Sequence, residues 1–243
     1  MDVHPPHQPL HTWKDFWIHL GTITIGLLIA LGLEATVEWA HRVHERHVLE
    51  EELYAETQRN ETYCQETLAV LDDAIAVSRW DMLRAKAALP GQSSLNATVP
   101  AKPESKPRVV GHPDMAVWDN ARQNGTVALL PETLAQMYTD NYRDAEDAVQ
   151  GFWHDFFQRN DDIQAFRTAL PNQQENKPTE FDKLSKDEIQ AYLGVESHFL
   201  QTAQRARGRW VAYAANNSCM LTKPSTFDEL GQCTSDRQKS MQK

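Results

Sequence analysis

The run FWIHLGTITIGLLIALGLEATV, from Phe16 to Val37, restricts this chain more than any other segment. It has no charged residue from Leu20 to Leu33, and its length matches the ~20 residues a helix needs to cross a bilayer core. Three readings fit it: a single-pass anchor, a cleaved signal peptide, and a buried core helix of a soluble domain. The anchor is favoured. Trp13, Phe16 and Trp17 stand before the run and Trp39 after it, and indole rings suit the headgroup layer because they are apolar but carry an N–H that needs a wet partner. Lys14 and Asp15 are expected to stop the helix on one side, while Glu34 and Glu38 reach water on the other. A signal peptide fits less well. The stretch MDVHPPHQPLHTWKD is not basic, and Glu34 to Trp39 continue a helical pattern where a small-residue cleavage site would stand. Within the run, Thr22, Gly26 and Ala30 recur every four residues and share one face. Small residues in that register allow two helices to approach closely in lipid.

The remaining body, about 200 residues, is enough for one sizeable domain. Its acidic balance, with a formal net charge of −10, argues against a nucleic-acid partner, whose phosphates reward cations. The expected fold class is all-α: one N-terminal transmembrane helix continuing into an antiparallel bundle of about three long helices and one short helix. The first helix carries an inward stripe of Leu53, Thr57, Asn60, Cys64, Leu68, Leu71, Ile75, Ser78, Met82, Ala85 and Leu89, spaced by threes and fours as in a packed helix. Pro90-Gly91 ends it, and residues 90–113 form a Pro-rich loop. A short helix follows from Asp114 to Gln123. A long one starts at Leu130-Pro131-Glu132 and carries Leu134, Tyr138, Tyr142, Ala145, Val149, Phe152, Phe156, Ile163, Phe166 and Leu170 to its stop at Pro171. The last helix opens on the capping box Ser185-x-x-Glu188. The resulting division is a polar tail at 1–15, a transmembrane helix at 16–39, a helical bundle at 40–216 and a loose polar C-terminal tail at 217–243.

Cys64, Cys219 and Cys233 are the cysteines. Cys219 and Cys233 close a short loop that suits a disulfide in an oxidising compartment, and Cys64 reads as a small buried hydrophobe. Orientation is contested. Arg42 and Arg46 beside the run favour a cytoplasmic body, and the disulfide favours a periplasmic one; the expectation leans to an exported body.

Glu38-Trp39-Ala40-His41 has the E-x-x-H spacing of carboxylate-bridged metal bundles, but no second copy exists to complete such a site. His41, His44 and His47 recur every three residues and offer weak metal or pH-sensing candidates; pairing with Glu45 and Glu51 on the helix surface is the simpler account. His4, His7 and His11 lie among prolines with nothing to fix their geometry. Phe152, Trp153, Phe156 and Phe157 read as core before they read as a ligand pocket, and Arg205, Arg207 and Arg209 spread round their helix. There is no G-x-S-x-G, P-loop or dinucleotide glycine pattern.

Two stretches, IHLGTITIGLLIALGLEATVEWAHRVHERH and Val117-Trp118-Asp119-Asn120-Ala121-Arg122-Gln123-Asn124-Gly125 with Leu129-Leu130, Tyr138 and Tyr142 after it, resemble a group of bacterial single-pass membrane proteins. The group pairs a short N-terminal anchor with a helical soluble body and has no known activity. The resemblance covers about a third of the chain and implies an anchor in the bacterial inner membrane and a helical body. The expectation is therefore a protein that is not an enzyme and takes no cofactor. It would act as an adaptor, accessory subunit or assembly factor, and its partners would be membrane lipid and either a second copy of itself or another membrane protein. A ligand or pH sensor working through a partner span is the alternative; a metal-dependent enzyme using Glu38 and the histidines comes last.

Overall fold

A computed structural model describes residues 13–91, 99–104, 111–170 and 179–242. The tail histidines His4, His7 and His11, most of the Pro-rich loop, and the stop at Pro171 lie outside these residues. Among the described residues the chain is helical, with no strand: α1 (Trp13–Ala87), α2 (Ala116–Asn124), α3 (Glu132–Gln150), α4 (Gln158–Ala169), α5 (Lys186–Met220) and α6 (Phe227–Met241). It divides into two units, Met1–Leu49 and Glu50–Lys243.

In the first unit, α1 begins at Trp13, so Lys14 and Asp15 do not stop the helix. Asp15 lies in its first turn, where a carboxylate is favoured by the helix dipole. α1 is the one described helix that is long and apolar enough to cross a membrane, and none of its apolar 18-residue window is buried. Leu27, Leu28 and Ile29 are each about three-fifths exposed. The threonines of this stretch satisfy their own hydroxyls: Thr22 Oγ1 donates to the carbonyl of Ile18 (2.9 Å) and Thr24 Oγ1 to that of Leu20 (2.8 Å), which removes the cost of a bare hydroxyl in an apolar medium. Gly26 has open space where a Cβ would stand.

In the second unit, α1 buries Leu53, Thr57, Asn60, Cys64, Leu71, Ile75, Ser78 and Ala85, along the stripe read from the sequence. Cys64, Leu71 and Ile75 meet Ala145, Ala148, Phe152, Phe156 and Ile163 and, from α5, Phe199, Ala203, Trp210 and Tyr213 in one core, and Ala85 packs in a second with Leu170, Phe181, Ile189 and Tyr192. Trp210 is fully buried with its ring edge-on to Phe152, centroids 6.1 Å apart. The expected single long helix from Glu132 to Leu170 is broken by a π-helical turn at Gly151–Phe157. That turn carries Phe152 and Phe156 into the core while Trp153 stacks on Phe157 outside it (4.8 Å). A Cβ at Gly151 would meet the Arg209 guanidinium, which would have to move aside. Gly125 ends α2 in the left-handed region (φ 81°), which glycine enters without a Cβ clash.

The region expected as a loose tail, 217–243, is mostly helical over its described residues. α5 runs on to Met220 with Asn217, Cys219 and Met220 buried, and α6 packs against it. Thr226 caps α6 by accepting from Glu229 N (3.2 Å), and Leu230 is buried. Cys219 and Cys233 are joined in a disulfide, with Cα atoms 5.9 Å apart. Local polarity hid this helix; Leu230, the packed Met241, the Thr226 cap, the Arg207 bond to the Met241 carbonyl and the crosslink hold it. Closing a loop of 14 residues restricts the unfolded chain by about 3 kcal/mol in the loop-entropy account. Cys233→Ser is therefore expected to cost roughly 2–3 kcal/mol, read as a lower urea midpoint, and a reducing agent should shift the parent chain but not the variant.

Candidate functional site

The body holds two buried acidic centres that the sequence reading passed over. Glu56 lies on the core face of α1, fully buried. Its Oε2 accepts from Val117 N (2.7 Å) and its Oε1 from Trp118 N (3.4 Å), both in the first turn of α2; the Tyr142 hydroxyl also donates to Oε1 in a short bond. The rings of Trp118 and Tyr142 stack at 5.0 Å. One turn on, Asn60 donates from Nδ2 to the Asp114 carbonyl and accepts from Asp114 N, each at 2.7 Å. Arg59 grips the Asp114 carboxylate through Nε (3.2 Å) and Nη2 (2.8 Å), and Asp114 Oδ1 accepts from Ala116 N. Successive core-side residues of α1 thus replace the missing partners of the α2 N-terminus.

Burial pushes the Glu56 carboxyl above the usual glutamate range, against the lowering effect of its hydrogen bonds to Tyr142 and Val117. Arg59 holds Asp114 below the usual aspartate range. Burial also raises the Tyr142 phenol, and the Cys64 thiol well above its ordinary value, so Cys64 is a packed side chain and not a nucleophile.

The second centre joins α1, α4 and α5. Arg167 Nη2 meets Asp81 Oδ2 (2.7 Å) and Glu196 Oε1 (2.5 Å) and donates to the Tyr192 hydroxyl (2.9 Å). Glu196 is fully buried and accepts also from Tyr192 (2.7 Å) and from Ser78 Oγ (2.8 Å). Arg84 completes the set, donating to Asp81 Oδ1 (3.3 Å) and to the carbonyl of Thr179 (2.9 Å). Two guanidinium groups balance two carboxylates.

The residues singled out from the sequence are placed elsewhere. Glu38, His41, His44 and His47 are all exposed on α1. His41 Nε2 is 3.0 Å from Glu45 and Glu38 is 3.9 Å from Arg42, both as i, i+4 neighbours. Among the described residues no three His, Cys, Asp or Glu side chains converge as metal ligands. Phe152 and Phe156 belong to the core, and Trp153 stacks on His112 (4.4 Å). Arg207 reaches Asp72 (2.5 Å) and the Met241 carbonyl (3.1 Å), tying α5 to α1 and α6. Glu56 and Glu196 did carry a detectable mark: each stands in phase with the apolar stripe of its helix, Glu56 three residues after Leu53 and Glu196 four after Tyr192.

Compared with known proteins, the chain matches no protein family, no characterised protein and no solved structure.

Proposed function

We propose that this is a single-pass membrane protein of the bacterial inner membrane, anchored by residues 16–39. Its helical body acts without catalysis as an adaptor, accessory subunit or assembly factor. One observation carries the anchor: an 18-residue apolar window with no part of it buried. Leaving so many large aliphatic side chains in water costs about 25 cal/mol per Å² of apolar surface, and lipid removes that cost. The back-bonded Thr22 and Thr24 support the same reading. Thr22, Gly26 and Ala30 form the face on which a second span would dock, from another copy or from a different membrane protein. In the body, the pairs Asn216–Asp144 and Arg209–Asp155 support an antiparallel course of the chain from α3 to α5. The non-catalytic reading rests on the two acidic centres, whose carboxylates are occupied by donors of the chain itself. The crosslink between α5 and α6 favours an oxidising compartment, hence a periplasmic body.

Leu27→Arg tests the anchor. A guanidinium at the centre of a span costs roughly 2.5–3.5 kcal/mol on insertion, so the variant should move from the carbonate-resistant membrane pellet toward the soluble fraction; full retention in the pellet would remove the anchor reading. The adaptor role is tested by purifying the full chain in mild detergent after in-cell crosslinking. A second protein in stoichiometric amount supports it, and a crosslinked ladder of this chain alone replaces it with self-assembly.

A further inference from the structure

A cleft beside the C-terminal end of α1 plays no part in the reading above. It encloses about 530 Å³, within the range of small-molecule sites. One wall is apolar, from Ala87 to Pro90 with Val99 across from them; the aromatic rings are those of Trp80 and Phe181. The guanidinium of Arg84 lies between those rings, its Cζ 4.6 Å from the Trp80 ring centre and 5.2 Å from that of Phe181. Trp80 is itself fixed: its Nε1–H donates to the Pro100 carbonyl (2.9 Å), which also sets Val99 in the wall.

Among the described residues Arg84 bonds to Asp81 and Thr179 with two N–H groups of the five a guanidinium carries; its side chain is 25% exposed and lines the cleft. Lys102 adds positive charge at the mouth, Nζ 5.8 Å from the Trp80 ring. Asp182 stands on the rim as the one acidic group of the lining.

We propose that this cleft binds a small planar aromatic monocarboxylate. The ring packs against Trp80 and the Ala88–Leu89–Val99 wall, and the carboxylate takes the spare N–H donors of Arg84. A planar ring gains contact area and offset stacking on the indole. A carboxylate matches the guanidinium fork, and its bonds are charge-assisted. A neutral hydrocarbon of the same shape leaves those donors without an acceptor. Asp182 in the lining adds negative charge that disfavours a second carboxylate. The site lies wholly within Glu50–Lys243 and does not depend on the membrane anchor.

The test uses the full chain in lipid nanodiscs, titrated with 2-naphthoate by calorimetry, with empty nanodiscs subtracted. Saturable binding of one molecule per chain is expected. Ala88→Phe, which fills the cleft without touching the polar network, should weaken it by about ten-fold or more, and 2-methylnaphthalene should bind at least about ten-fold more weakly than the acid. If Ala88→Phe does not keep the parent melting temperature, Trp80→Leu serves in its place, with the same loss expected. Absence of saturable binding overturns the proposal. So does binding undiminished by the cleft variant, or equal affinity for the acid and the hydrocarbon.

Discussion

Replacing Arg167 with leucine is expected to lower the stability of the body by about 3–5 kcal/mol, the range seen when one partner of a buried ion pair is removed. The substitution leaves Glu196, fully buried, without its cation, and leaves Asp81, 7% exposed, with only the longer contact to Arg84. Leucine restores volume but not charge. The loss should appear as a melting temperature lower by roughly 10 °C in the full chain. The double variant Arg167→Leu/Glu196→Gln separates charge from packing. The amide that replaces the Glu196 carboxylate keeps one oxygen to accept from Tyr192, can donate its NH2 to the Ser78 hydroxyl oxygen, and carries no charge to strand. The double variant should recover a substantial part of the loss, because Asp81 retains Arg84. If the single variant melts within about 2 °C of the parent, the network is not what joins α1, α4 and α5.

Glu56→Leu is the second large effect. It removes the acceptor from three donors at once: the N–H groups of Val117 and Trp118 and the hydroxyl of Tyr142. Each stranded donor costs about 1–3 kcal/mol, and shared relaxation keeps the sum near 3–5 kcal/mol. The urea midpoint should fall accordingly, and α2 should lose amide protection before the rest of the body. The milder Glu56→Gln exposes the linkage to pH. Because burial raises the Glu56 pKa in the folded chain, the folded state holds that proton after the unfolded chain has released it. The stability it contributes is therefore full on the acid side of the ordinary glutamate range and declines as pH rises through the raised value. Asp114 has the opposite sign: its lowered value gives stability that is present above the ordinary aspartate range and lost as pH falls through the depressed one. A plot of urea midpoint against pH should show the Glu56 decline in the parent and not in Glu56→Gln. An identical slope in both would assign the decline to other groups.

The same centre gives the sensor alternative its physical content. Protonating Glu56 places a donor among three donors, so Tyr142 must turn to accept or a bond to α2 is lost.

Much of the architecture was legible before any coordinates. The stripe Leu53–Leu89 marked the buried face of α1, and Ser185 and Glu188 marked the start of α5. These features are local, since periodicity and caps depend on residues within about a turn of one another. What was misjudged depends on distant partners. The π-helical turn at Gly151–Phe157 packs against α5, where Arg209 lies over Gly151 and bonds Asp155. The tail beyond Asn216 looks polar in isolation and becomes a helix because Cys233 and Leu230 tie it to α5.

The sequence by itself determined that the chain is helical and that one stretch is suited to lipid, because hydrophobic period and an uncharged run of span length are properties of neighbouring residues. Only the tertiary structure decided which of its 34 acidic residues matter to the body. Glu56 and Glu196 share their type with the others and their phase marks only a core-facing position; what sets them apart is lying where α2, α3 and α4 close over them. Burial and the donors brought in by other helices, from Val117 and Tyr142 for Glu56 and from Arg167 and Ser78 for Glu196, set their role.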